Sequence, residues 1–403
     1  MGISGFLIVF SPFLVFLPQI AAIYQLIKNR KLNAGTPWTG GVLLLFFWSL
    51  IVGVVNQQWL SFGAGFVFLG FYGICLYLDQ KMHTVELVER LLSYIFFLTL
   101  ASALIGLLEN FNFITREAAW WKICFGLTTV VSNDDTLFRI TGTFGNPNLA
   151  ASWYAVMILV GYYFYEKTPK NEHRIFFYGI LLLITALVLT GSRGAMIGLM
   201  IGFVVYDLAA GKMFHVTIRM LSFLIGMGAF IGSSDWFPRG DLLSSTIDLR
   251  WAIWENCFNM FLKKPVTGWG IMGIYFADDN VYQYLRVLHA HNMLLSWVVM
   301  LGLVGLFLLL WMEWHLWGSL WQLFKEKCPL MPLLVAVQAF FWGHGVFDFS
   351  IMSPQIGLLF MVFSSLICTL AGSENSKPYF SAPKRFFCRL QGIRSLRKTN
   401  KNQ

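Results

Sequence analysis

Apolar runs separated by short polar breaks dominate the chain. They fall at roughly 4–27, 40–55, 59–78, 91–108, 147–165, 175–190, 194–211, 214–232, 293–312, 330–346 and 352–371. A helix needs about 20 apolar residues to cross the hydrocarbon of a bilayer. The pattern therefore predicts an all-α polytopic membrane protein with about 11–12 transmembrane helices. Between 233 and 292 the pattern changes to a long segment too polar to span and too long for a plain connector. Within it, Trp251, Trp254, Phe258 and Phe261 recur at helical spacing. That spacing predicts an amphipathic helix on the membrane surface, ended by Pro265 and Gly268. The resulting organisation is a helix bundle over 1–232, an external loop over 233–292, C-terminal spans over 293–371 and a basic tail over 372–403.

Composition agrees with this class. Of the 403 residues 57% are hydrophobic and 12% charged, about half the charge of an ordinary soluble domain. Aromatics reach 17%, which suits interfacial belts and lipid-facing helices. The six cysteines show neither CxxC nor Cys/His ligand spacing, so neither a disulfide framework nor a zinc site is implied. The first apolar run is long enough to span, so no cleavable signal peptide is expected.

Charge sets the orientation. With the loops assigned alternately to two sides, 20 of the 29 Lys and Arg fall in 28–31, 79–90, 166–174, 211–219, 325–327 and the tail. The side rich in Lys and Arg is cytoplasmic. The tail is an ordinary anchor of this kind, and it can also rest on anionic lipid. The other side collects the irregular sequence: 109–146, the corner 191–194, the loop 233–292 and "GVFDFS" at 345–350. Arg193 thus lies at the external membrane boundary, where a snorkelling role also explains a lone arginine.

Four external stretches carry a family resemblance by their order and spacing. They are "GTFGNPNLAA" (142–151), "TGSRGA" (190–195), "LRWAIWENCFNMFLKKPVTGWG" (249–270) and "HAHNMLLSWVVMLGLVGL" (289–306). Together they resemble the O-antigen ligase and polymerase superfamily of bacterial envelope glycan synthesis. The resemblance implies a type C glycosyltransferase-like fold in the bacterial inner membrane, with its active site facing the periplasm. It implies a polyprenyl-diphosphate-linked glycan as donor, lipid A core or another glycan as acceptor, and membrane lipid as surroundings. It implies no cofactor, no metal and no nucleic acid. Many members have twelve spans with both ends inside, whereas eleven starting outside are counted here. Either "AAWWKICFGLTTVV" within 109–146 hides a span or the first span is absent; the loop charges favour the second.

For such a donor the departing diphosphate needs positive charge, and an arginine fork binds phosphate oxygens in bidentate fashion. Arg193 and Arg250 are the candidates. Arg193 lies just before a helix starting near Gly194, whose free N–H groups favour an anion; Arg250 opens the surface helix. Arg286 is a weaker third. The acceptor hydroxyl gains from a general base, and histidine suits that role. The family pattern places a histidine directly before Asn at the head of the helix after the long loop, which is His291 here. Asn292 can cap that helix, and His289 can support His291. His344 has Asp348 at i+4 to orient it and can contact acceptor. In "GTFGNPN", Asn146 or Asn148 can cap the following helix, and Asn146 can reach sugar. The paired carboxylates "SNDD" (132–135) and "ADDN" (277–280) lack the spacing of a metal site.

A ligase and a polymerase share the donor and differ in acceptor, so these motifs leave both open. A lipid-linked oligosaccharide transporter is a third possibility. It calls for charges inside spans and broken, repeated helices, whereas the charges here lie near span ends and the unusual residues gather at one surface.

Overall fold

A computed structural model describes residues 2–114, 119–127, 139–170, 172–232 and 243–373. Fourteen α-helices occur among them: α1 (Gly2–Phe10), α2 (Phe16–Lys28), α3 (Pro37–Val55), α4 (Trp59–Asp79), α5 (Val85–Asn110), α6 (Trp120–Cys124), α7 (Pro147–Lys167), α8 (Arg174–Leu189), α9 (Arg193–Ala209), α10 (Met213–Gly232), α11 (Leu243–Lys263), α12 (Met293–Lys325), α13 (Met331–Gly345) and α14 (Pro354–Ser373). No strand occurs among the described residues. Five helices are long and apolar enough to cross a membrane alone: α3, α4, α5, α12 and α14 over 354–372. Others, such as α8, are apolar but shorter. The chain is an all-α polytopic membrane protein.

Every apolar run falls on helix, but the first falls on two. Ser11 and Pro12 interrupt it. Proline removes a backbone donor, and the Ser11 hydroxyl accepts from the Phe13 and Leu14 amides at 3.3 and 2.9 Å. The same hydroxyl donates to the Cys124 carbonyl at 2.5 Å, pinning the break to the short α6. Of the stretch "AAWWKICFGLTTVV", Trp120–Cys124 is helical; the parts at 118 and 128–131 lie outside the described residues, as do "SNDD" and the tail from 374.

At the centre stands α7, buried on nearly its whole circumference from Ala150 to Gly161, as expected of a helix apolar all round. Against it pack α5, α8, α9 and α13. Four of the loops the charge pattern grouped together, 28–31, 79–90, 166–174 and 211–219, meet at one end of the bundle. Gln80 donates to the Lys31 carbonyl at 2.8 Å, Asp79 accepts from the Thr36 amide at 2.9 Å, and Lys167–Glu89 and Lys212–Glu166 form ion pairs.

One helix departs from its expected course. α12 is broken at Gly302, where φ is 66° and ψ −169°, a region open essentially to glycine alone. A strap from the preceding loop fills the gap. Trp269 and Gly270 donate their amides to the Val299 and Met300 carbonyls, both at 2.8 Å, and Leu303 donates to the Pro265 carbonyl at 2.8 Å. The Trp48 indole takes the Leu301 carbonyl at 2.8 Å. Helix-terminal groups created by the break therefore find partners, as buried backbone must. At the crossing a Cβ on Gly302 would lie 2.1 Å from the Val266 carbonyl oxygen, and one on Gly268 2.6 Å from the Gly302 nitrogen. The membrane-length part of α12 is thus the stretch after Gly302, shifted from the expected 293–312. The short piece before the break follows directly on the candidate histidines, His289 and His291.

Candidate active site at the heads of α9 and α12

At the end opposite the basic loops, α7, α9 and α12 begin and α8 and α13 finish. Asn292 caps α12 as expected: its Oδ1 accepts from the Leu295 amide at 3.0 Å and its Nδ2 donates to the Val346 carbonyl at 3.1 Å. This ties the head of α12 to the turn after α13. His291, just before the cap, is held in the left-handed region with φ 49°. Non-glycine residues occupy that region at a cost, and such strain clusters at functional sites.

Across this junction His291 Nδ1 meets Asp348 Oδ1 at 3.1 Å, with His289 Nδ1 3.9 Å from the same oxygen. The two imidazoles sit edge to face, 4.5 Å apart, and His289 Nδ1 accepts the His291 amide at 3.2 Å. Asp348 is buried and also accepts from the Phe349 amide at 2.8 Å. Burial alone would push its carboxyl up. The hydrogen bond from His291 and the charges of His289, His291 and His344 outweigh burial and hold it well below the usual carboxylate range. Burial, with neighbouring His291, pushes His289 down to about 4 against the pull of Asp348; the Arg250 charge adds to the depression.

The Arg250 charge is thus felt at the histidine pair. Arg250 comes from the middle of α11 and does not open it, because the helix begins seven residues earlier, at Leu243. The α11 face packed inward is Ile253, Cys257 and Met260; Trp251 and Phe258 of the aromatic stripe are exposed and Trp254 and Phe261 half-buried. Arg193 is the first residue of α9, one position earlier than expected, with Ser192 preceding it. Gly194 lies against Phe347 and His344, so Arg193 stands at the edge of the segment that carries Asp348.

His344 differs from its expected setting. Its side chain is 1% exposed, stacked on Phe340, and its Nδ1 meets Ser152 and Ser350 hydroxyls at 3.2 and 3.3 Å. Asp348 does not orient it by a side-chain hydrogen bond: its amide reaches the His344 carbonyl at 3.1 Å, but its carboxylate turns to His291. Arg286 is engaged within its own loop, donating to the Ala277 carbonyl and to Asp279. Asn146 is the N-cap of α7, accepting from the Asn148 amide at 2.8 Å.

The motifs name Asp348 beside His344, whereas its hydrogen bond goes to His291; they do not name Glu109 or Arg139. Glu109, buried at the end of α5, accepts from the Thr141 amide and hydroxyl and the Gly142 amide at 2.8, 2.9 and 3.1 Å. Arg139 bridges Asn148 and Thr190. The one sequence signal for Glu109 is a carboxylate at the end of an otherwise apolar run.

The arrangement offers a carboxylate–imidazole pair next to arginine, suited to proton removal near an anion. Its donor atoms are also those a divalent ion would use: His289, His291 and Asp348 each present one, all within 4.8 Å of one another. No curated protein matches the chain. Residues 178–310, which contain Arg193, Arg250, His289 and His291, match the family model described as O-antigen ligase. That stretch, about a third of an integral membrane chain, is similar to the O-antigen ligase family, whose ligase and polymerase types handle glycans.

Proposed function

We propose that the protein is an O-antigen ligase of the bacterial inner membrane, transferring glycan from polyprenyl diphosphate to a hydroxyl of lipid A core on the periplasmic side. The observation that carries this is the His291–Asp348 pair at the head of α12, gathered at one end of the bundle with Arg193 and Arg250. Asp348 accepts the Nδ1 proton of His291, which leaves Nε2 as the basic nitrogen. The acceptor hydroxyl gives its proton to Nε2 as its oxygen attacks C1 of the first sugar. The bond from C1 to the phosphate oxygen breaks with inversion, and its electron pair leaves on the diphosphate. Arg193 and Arg250 receive that charge, which a guanidinium fork does well. Asn146 and Asn148, at the start of α7, bind the sugar, with His289 beside the base. The step requires no metal, so dialysis against a chelator leaves the rate unchanged; loss restored by added zinc would assign the His289, His291 and Asp348 set to a metal.

The test uses membranes from a cell lacking the gene, complemented with wild type or His291→Ala. Wild type should move a full glycan ladder onto lipid A core, and the variant should leave long chains on polyprenyl diphosphate. Alanine should lower transfer by about 10²–10⁴, the range for a lost acid–base group, with the variant still present in the membrane. A single repeat on core without the protein and a ladder with it would make the protein a polymerase. Unchanged glycan species throughout would remove the transferase assignment and favour transport of the lipid-linked glycan.

A further inference from the structure

We infer that Arg139 is a positioning residue for the anion-binding corner that ends in Arg193, an inference that rests on the proposed role of Arg193. Its Nε donates to the Thr190 carbonyl at 2.6 Å and its Nη2 to Asn148 Oδ1 at 2.7 Å. These two acceptors belong to two different motifs. Thr190 closes α8 and begins the corner Gly191–Ser192 that delivers Arg193; Asn148 lies in the first turn of α7. One guanidinium therefore fixes the end of one helix to the start of another.

The surroundings make this bridge rigid. The Ile140 amide donates to the Leu189 carbonyl at 3.2 Å, beside the Arg139 contact. The next residues, Thr141 and Gly142, are gripped by buried Glu109. The segment 139–142 is thus anchored to α5 on one side and clasps the end of α8 on the other. The last carbonyls of a helix lack partners within it, and a cation there is further favoured by the helix dipole. Within the corner itself the Thr190 hydroxyl donates to the Leu187 carbonyl at 2.6 Å and the Gly191 amide to Val188 at 2.9 Å. Beyond the packing of α8 and α9 on α7, Arg139 ties the corner to the first turn of α7 by a polar bridge. Lysine, a point charge without the fork, cannot reproduce a planar bridge between two separate acceptors.

The consequence is specific. Without the bridge the corner can rotate, and Arg193 loses its aim at the diphosphate while the histidine pair, held by Asn292 and Asp348, stays in place. Arg139→Lys in the full-length protein should therefore weaken binding of farnesyl diphosphate, used as a metal-free probe and followed by tryptophan fluorescence, by about tenfold or more. Transfer should fall by about 100-fold, the scale of a small misplacement of a reacting group, with the melting temperature within a few degrees of wild type. Arg139→Gly should regain probe affinity with millimolar ethylguanidinium and not with ethylammonium. Wild-type affinity and rate in Arg139→Lys overturn the inference, as does equal rescue by both cations. If neither Arg139 variant accumulates, Asn148→Ala removes one end of the bridge and should weaken the probe in the same direction; unchanged probe binding there overturns it too. Arg193→Ala separates the two levels. If it keeps full affinity and transfer, the role of Arg193 fails; if it loses both while Arg139→Lys loses neither, only the inference about Arg139 fails.

Discussion

His289 and Asp348 make the site sensitive to acid in a calculable direction. With a folded value near 4 against an ordinary 6.5, His289 binds fewer protons folded than unfolded between those limits. Stability therefore rises with pH across that window and falls as pH drops from about 6.5 towards 4. Melting of the detergent-solubilised protein at a series of pH values should show that slope, and His289→Asn should flatten it; an unchanged slope in the variant would place the acid sensitivity elsewhere. Asp348→Asn keeps shape but removes the charge facing His291 Nδ1. It should lower the transfer rate by about 100-fold, the lower range for impaired proton transfer, with little change in the donor KM. The local parts of this site were legible. His291 before a capping Asn292 and Asn146 before Pro147 are helix-start signals spanning three or four residues. The partner of His291 was not legible, because Asp348 is 57 positions away and its nearest histidine in sequence, His344, is drawn aside by Ser152 and Ser350.

Among the elements, the break in α12 carries the strongest constraint. Gly302→Ala places a Cβ on the Val266 carbonyl oxygen and forces an alanine into a backbone region that costs about 1–3 kcal/mol by itself. Expression in membranes and the melting temperature should both fall sharply, more than for Gly63→Ala, where a Cβ meets nothing within 4 Å. Equal behaviour of the two variants would mean that the crossing is not held as described. Most helix positions were readable from apolar run length alone, but the division of the first run at Ser11–Pro12 was not, because run length does not register a single proline. The break at Gly302 was hidden because the flanking sequence is uniformly apolar; only the partner strap, Pro265 to Gly270, shows what an unwound turn is for. α11 was readable as a surface helix but not its start, which lies among residues of mixed polarity, so Arg250 moved from the helix mouth to its middle.

For the molecule as a whole, the segregation of lysine and arginine predicts sidedness, and four of the loops so grouped, 28–31, 79–90, 166–174 and 211–219, meet at one end. A membrane-impermeant maleimide should label Gln283→Cys from outside intact spheroplasts and Glu172→Cys only after lysis, with Cys124 and Cys388 changed to serine; the other cysteines are buried. The opposite labelling would invert the protein and put the histidines in the cytoplasm. The all-helical membrane class was the most legible part of the fold, since hydropathy is a property of whole stretches and tolerates errors of several residues. The two glycines where the strap crosses α12 have a consequence for descent. Each lies where the other's backbone would collide with a side chain, so neither position can drift while the crossing survives. In a lineage that keeps the broken helix, positions 268 and 302 should stay glycine together; a lineage that has lost one should have rebuilt α12 as a continuous rod and displaced the histidines at its head.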